Sequence, residues 1–200
     1  MTKAMMKQGA ALLTLTFWVT ILFSASFEIS KTIQFYFQNY LFPNFPEFVS
    51  LIFLPHGVRV VFTWLYGWRS ILPLFFAQSL YGLMLFDPSH VTKLHILSAA
   101  FVSSVSVYLA CELLRKSGDQ VYAYETDQLS WKKLMLIGLI GSVLNGIGNT
   151  IVFQSYIPSE NHLLTIIGYM IGDTVGTFVA LLIMMYSFRL IRGYSSLQEK

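Results

Sequence analysis

Within six positions, Leu54-Pro55-His56-Gly57-Val58-Arg59, the chain sets a helix breaker, a titratable ring and a permanent cation inside a long apolar run. His56 and Arg59 are three apart, so a helix presents both on one face. A guanidinium at membrane depth is costly and is rarely left without an opposite charge. Asp173, in a later apolar run, is the acid expected to answer it. Asn145 and Asn149 are four apart, so both amides point the same way from their helix. Amides in hydrocarbon must be satisfied by one another, by neighbours or by water. Gln78 is the further residue expected in this set. Together His56, Arg59, Gln78, Asn145, Asn149 and Asp173 describe a polar centre at the membrane midplane, suited to pairing charges and to binding a small molecule. No paired acids, nucleophile motif or phosphate loop accompany them, so an enzyme is not expected. The four histidines are scattered and the single cysteine, Cys111, lies on an apolar run. Neither a metal site nor a disulfide framework is expected, and no cofactor is.

The elements that must position these residues are membrane helices. Of 200 residues, 55% are hydrophobic and only 12% are charged, far from the balance of a soluble domain. The apolar residues group into runs of roughly 16 to 29, about the length that crosses a bilayer. The expected fold is an all-α polytopic bundle, one integral membrane domain over residues 1–200. Six spans are expected, at 10–29, 48–68, 71–86, 94–114, 134–157 and 163–191. The first is longer than a signal-peptide core and is read as a retained span. Residues 31–48 hold Phe35, Tyr36, Phe37, Tyr40, Phe42 and Phe45 with two prolines. That segment reads as an interfacial cap rather than a span. The short turn Gly67-Trp68-Arg69-Ser70 implies a tight antiparallel hairpin of the second and third spans. The loop from Arg115 to Lys133 reads as a solvated connector.

Basic residues give the orientation. With the N-terminus inside, Lys3, Lys7, Arg69, Arg115, Lys116, Lys132, Lys133, Arg189, Arg192 and Lys200 are cytoplasmic, and only Lys31 and Lys93 are outside. This bias puts both termini in the cytoplasm. The net charge of +3 then reflects topology, and no nucleic-acid partner is expected. Asp173 lies roughly 16 Å from the outer end of its span and Arg59 roughly 13 Å from the inner end of its own. In a core about 30 Å thick, the two depths meet. Pro55 reads as a break within span 48–68, either at a binding site, as in transporters, or as a packing kink. Gly168, Gly172 and Gly176 form a small-residue stripe for close helix packing.

Leu54-Pro55-His56-Gly57-Val58-Arg59, the following Gly67-Trp68-Arg69 and the late Gly172-Asp173-Thr174-Val175-Gly176 resemble the bacterial membrane-associated sensor family, type one. These integral sensor domains often precede histidine kinases and diguanylate cyclases. The resemblance implies a multi-pass protein of the bacterial cytoplasmic (inner) membrane, active in signal transduction. With no signalling domain following, it implies a sensor-like or accessory module acting through a separate membrane or cytoplasmic protein. A six-helix bundle with short loops and both ends inside is also similar to the S components of energy-coupling-factor vitamin transporters. That likeness implies a small-molecule-binding component of a transport system. A structural subunit of a larger membrane complex is the third reading.

Overall fold

Apolar runs with few internal breakers become long helices. The computed structural model describes residues 3–41, 49–85, 91–126 and 130–198, with side chains between residues 9 and 190 of these. Every regular element among the described residues is helical. Helix α1 is Lys3–Ile33, α2 is Leu54–Tyr66, α3 is Ile71–Leu85, α4 is Lys93–Lys116, α5 is Trp131–Val152 and α6 is His162–Gln198. Five continuous helical stretches are long and apolar enough to cross a membrane: Gly9–Leu41, Leu54–Leu85, Lys93–Lys116, Trp131–Val152 and Ser159–Leu190. Their outer faces carry large apolar side chains, among them Phe17, Trp18, Phe101, Ile151 and Phe178. The interior, in contrast, holds many of the polar groups.

The stretch Leu54–Leu85 reverses direction. Gly67 has φ 56°, a conformation that glycine adopts without steric cost, and a 3-10 turn follows at Gly67–Ser70. The Ser70 hydroxyl donates to the Gly67 carbonyl at 2.7 Å and closes the turn. Pairwise contacts give the directions. Phe53 and Gly57 meet Gly172 and Thr177 in that order, so α2 runs parallel to α6. Asn145 meets Asp173 and Gly138 meets Thr177, so α5 is antiparallel to α6. Likewise Gly148 meets Val102 and Gly141 meets Val107, and Gly82 meets Ile96 while Phe75 meets Phe101. Helices α2 and α3 therefore run in opposite directions. They do not form the expected tight hairpin. Helix α2 packs on α6 and α1, and α3 packs on α1 and α4. The ring α1–α3–α4–α5–α6–α2 is closed by α2 against α1, and α2 also leans onto α4 and α5.

Three further segments differ from expectation. Pro55 is no kink within a span: helix α2 begins at Leu54, with Pro55 in its first turn. The missing proline N–H costs nothing there, because it would have no helical partner. Residues 49–53 are not helical and lie along α6, where the Phe53 N–H donates to the Gly172 carbonyl at 3.0 Å. Gly172 and Gly176 make this approach possible. A Cβ on Gly172 would overlap the Ser50 carbonyl, and one on Gly176 the Phe53 carbonyl. The small-residue stripe thus receives non-helical backbone, not another helix. Gly168 is buried on the same helix.

The aromatic segment after α1 stays helical. It passes through a π-helical turn at Gln34–Gln38 and a last turn at Asn39–Leu41. Phe35, Tyr36, Phe37 and Tyr40 are exposed, whereas Phe42 and Phe45 lie outside the described residues. Gln38 points inward and clamps the non-helical strip: its amide donates to the Val49 carbonyl at 2.7 Å and accepts from the Leu51 N–H at 2.8 Å.

The loop after α4 is not a solvated connector. Val121 and Tyr122 are buried in the main apolar core with Val60, Val107, Ala110, Cys111, Leu134, Ile137 and Leu181. The Ala123 N–H donates to the Trp64 carbonyl at 3.0 Å, and Tyr122 donates to Glu112 at 2.6 Å. Glu125 accepts from the N–H groups of Val121 and Tyr122 and pairs with Arg115 at 3.0 Å. Burial opposes ionisation of Glu125, but those N–H groups and the Arg115 charge prevail and hold it below the usual carboxylate range. The loop plugs the bundle end where Arg69, Arg115 and Lys133 gather.

Candidate functional site

The site begins where α2 starts. Leu54 would have an orphaned N–H at this buried helix end. It donates instead to the Ser30 hydroxyl of α1 at 2.9 Å. Two residues on, His56 is fully buried and its Nε2 lies 3.0 Å from the Gly138 carbonyl of α5. A carbonyl only accepts, so Nε2 carries the proton. Gly138 has no side chain to block the ring, and its near neighbour is Thr177 of α6.

The other ring nitrogen, Nδ1, faces Asp173 Oδ2 at 3.3 Å. The same oxygen accepts from the Asn145 amide at 2.6 Å. Asn149, one turn along α5, donates to Asn145 Oδ1 at 2.7 Å and lies 3.1 Å from the Ser103 hydroxyl of α4. A buried line of polar groups thus runs Gly138–His56–Asp173–Asn145–Asn149–Ser103, across α5, α2, α6 and α4, hydrogen-bonded except at the 3.3 Å contact of His56 Nδ1 with Asp173, where Nδ1 has no hydrogen-bond partner. Four of the six sequence-derived site residues lie in it. Charge-assisted contacts inside it are stronger than neutral ones.

Arg59 is not paired with Asp173 as expected. No ion pair joins them, and the Asp173 carboxylate is turned to His56 and Asn145. Arg59 is 2% exposed, and its Nε and Nη1 have no hydrogen-bond partner among the described residues. Its guanidinium lies over the Phe53 ring, 5.3 Å from the centroid, a cation–π contact that gives up none of its N–H donors. Asp173 Oδ1 also lacks a partner there.

Arg59 lines a cavity of about 490 Å³ between the helices. Gln78, Asn145 and Asn149 line it too, whereas His56 and Asp173 stand behind its wall. The Gln78 amide donates back to the Leu74 carbonyl at 3.3 Å, leaving its oxygen free of that bond. Aromatic rings form one side: Phe27 meets Phe53 edge-on at 5.4 Å and Tyr81 at 4.4 Å. The cavity reaches the bundle end where α1 and α3 finish, as Lys31, Gln34, Asn39 and Leu85 in its lining indicate. At that end Tyr81 donates to Glu28. Phe27, Phe53 and Ser30 were not singled out from the sequence. An aromatic or serine in an apolar run carries no signal that separates a cavity wall from packing. Volume and lining are those of a small-molecule site: mostly apolar, with a few convergent polar groups.

No protein-family model, curated protein or solved structure matches this chain.

Proposed function

We propose that this is a multi-pass membrane protein whose central cavity binds a small molecule, and that it acts as a sensor-like module through a separate partner. The observation that carries the reading is the cavity with Arg59 buried in its wall and unpartnered. A buried guanidinium without compensation is strongly destabilising, and a ligand that pairs with it supplies the missing contact. The opposed directions of α2 and α3 support six crossings rather than five. The clustering of Arg69, Arg115, Lys116, Lys132 and Lys133 at the plugged end supports a cytoplasmic location for that end and for both termini. The cavity then opens outward, on the periplasmic side of a bacterial inner membrane.

In this reading the polar chain links the cavity to the rest of the bundle. Asn145 and Asn149 touch the cavity, and Asp173 and His56 carry the link to α6 and α2. Binding shifts the bundle only if the ligand has different affinities for two arrangements. The resemblance to the membrane-associated sensor family, type one, supports sensing. Helix α6 also continues beyond the core, where Tyr186, Phe188 and Leu190 are exposed, and offers a surface for the partner. The cavity equally suits a binding component of a transporter, and the identity of co-extracted protein separates the two. Native mass spectrometry of protein gently extracted from its own membrane tests the proposal. It is expected to show one small molecule per chain, with a kinase or cyclase as co-purifying partner. Transporter subunits in place of that partner would overturn the sensor reading, and a bare chain would overturn ligand binding.

A further inference from the structure

Resting on the reading of the cavity as a ligand site, we propose that its ligand is a small organic anion, held by a carboxylate-type head on Arg59 with its apolar or aromatic body against Phe27, Phe53 and Tyr81. Three observations converge. Arg59 is almost wholly buried and has two N–H positions, Nε and Nη1, without partners. Each of these two nitrogens shares an edge of the guanidinium with Nη2, and either edge, Nε with Nη2 or Nη1 with Nη2, can grip a carboxylate in two parallel bonds. The charged side chains lining the cavity are Lys31 and Arg59, both cationic. Lys31 lies towards the mouth, half-exposed and 3.8 Å from Glu28, and Arg59 lies at depth. An anion entering by that mouth meets one cation and then the other.

Asp173, whose Oδ1 is without a hydrogen-bond partner, forms no ion pair with Arg59. Asp173 Oδ2 is committed to Asn145 and His56. The α2 N-terminus at Leu54 adds the positive end of a helix dipole beside Phe53, itself a lining residue. The tilted ring pair Phe27–Tyr81 and the edge-on Phe53 provide an apolar aromatic wall. Asn149 and Gln78 offer amide groups to polar substituents of the ligand.

The test uses the full chain in phosphatidylcholine nanodiscs, titrated calorimetrically with 1-naphthoate and its uncharged isostere 1-naphthamide, with empty nanodiscs as baseline. The wild type should bind the acid at least about tenfold more tightly than the amide, the usual scale for one charge-assisted contact. Arg59→Gln should bring the two affinities within about twofold of each other, and Arg59→Lys, which keeps the charge and loses the fork, should fall between. The wild-type acid-to-amide ratio needs no variant, so a folding defect in Arg59→Gln does not blunt the test. Equal affinities in the wild type, or an acid preference that survives Arg59→Gln, would overturn the anion site and leave a neutral-ligand cavity standing. That is the result expected if Arg59 is neutralised by Asp173 Oδ1 through one water. Binding of neither probe would overturn the cavity reading itself. Repeating the titration in phosphatidylglycerol nanodiscs identifies the source of the anion: lost naphthoate affinity marks a lipid headgroup as occupant, and unchanged affinity marks a soluble anion.

Discussion

At the scale of single residues, the account turns on which partner Asp173 holds. Its contacts are the Asn145 amide and the His56 ring, not Arg59. Asp173→Asn should therefore destabilise the protein by roughly 2 to 3 kcal/mol, the scale for breaking a buried charged contact. In a double-mutant cycle with Asn145→Ala the two losses should be non-additive by about 1 kcal/mol or more. The cycle with Arg59→Gln should be closer to additive. Thermal unfolding in one detergent reads all of these, and a larger coupling to Arg59 than to Asn145 would reverse the assignment. Most of the polar set was legible in the sequence, because a titratable or amide side chain in an apolar run is conspicuous and four-residue spacing puts Asn145 and Asn149 on one face. The pairing was not legible. Residue counts along two helices give depth, but the rotation of each helix about its axis comes from packing.

The elements show where a period-based reading stops. Residues 49–53 continue the apolar run of α2, and nothing in their composition separates non-helical backbone from helix. What separates them is the partner: Gly172 and Gly176 expose α6 backbone, and the strip hydrogen-bonds to it. Gly172→Ala should thus cost roughly 1 to 3 kcal/mol, the range for overpacking a tight interior, or push the strip off α6. Gly9→Ala, with nothing near its Cβ, should be neutral. Equal melting temperatures for Gly172→Ala and wild type would contradict the strip. The loop after α4 follows the same rule: two apolar residues, Val121 and Tyr122, dock it where the bundle end offers a socket. Glu125 fastens that plug and titrates below the usual carboxylate range when folded. Its contribution is complete above the unfolded-state value and is lost as pH falls through the lowered folded value. Amide-exchange protection factors at Val121 and Tyr122, taken relative to the intrinsic exchange rate at each pH, should fall on acidification through that range. In Glu125→Gln protection should already be low at neutral pH and unchanged by that acidification.

For the molecule as a whole, five helical stretches are long and apolar enough to cross a membrane, and the proposed topology divides one of them, Leu54–Leu85, into two crossings. Single cysteines in a Cys111→Ser background test the crossings through sidedness of labelling in intact cells. Cysteines at Trp68 and Gly118 should react only from the cytoplasm, and those at Lys93 and Ser159 only from outside. A Trp68 cysteine protected from both sides would mean that Leu54–Leu85 crosses as one span. The helical class was legible from hydropathy alone, since apolar length is a property of composition, whereas the two spans expected at 48–68 and 71–86 correspond to one continuous helical stretch, Leu54–Leu85. The cavity was not, because it arises from α2 and α3 diverging where a hairpin was expected. The most direct measurement of the central claim is small-molecule occupancy by native mass spectrometry, comparing wild type with Ala99→Phe. Ala99 lines the cavity, and a phenyl ring there would project into it and narrow it. The account predicts one bound molecule per wild-type chain and a lower occupancy in the folded variant. Equal occupancy in the two, or a bare wild-type chain, would contradict it.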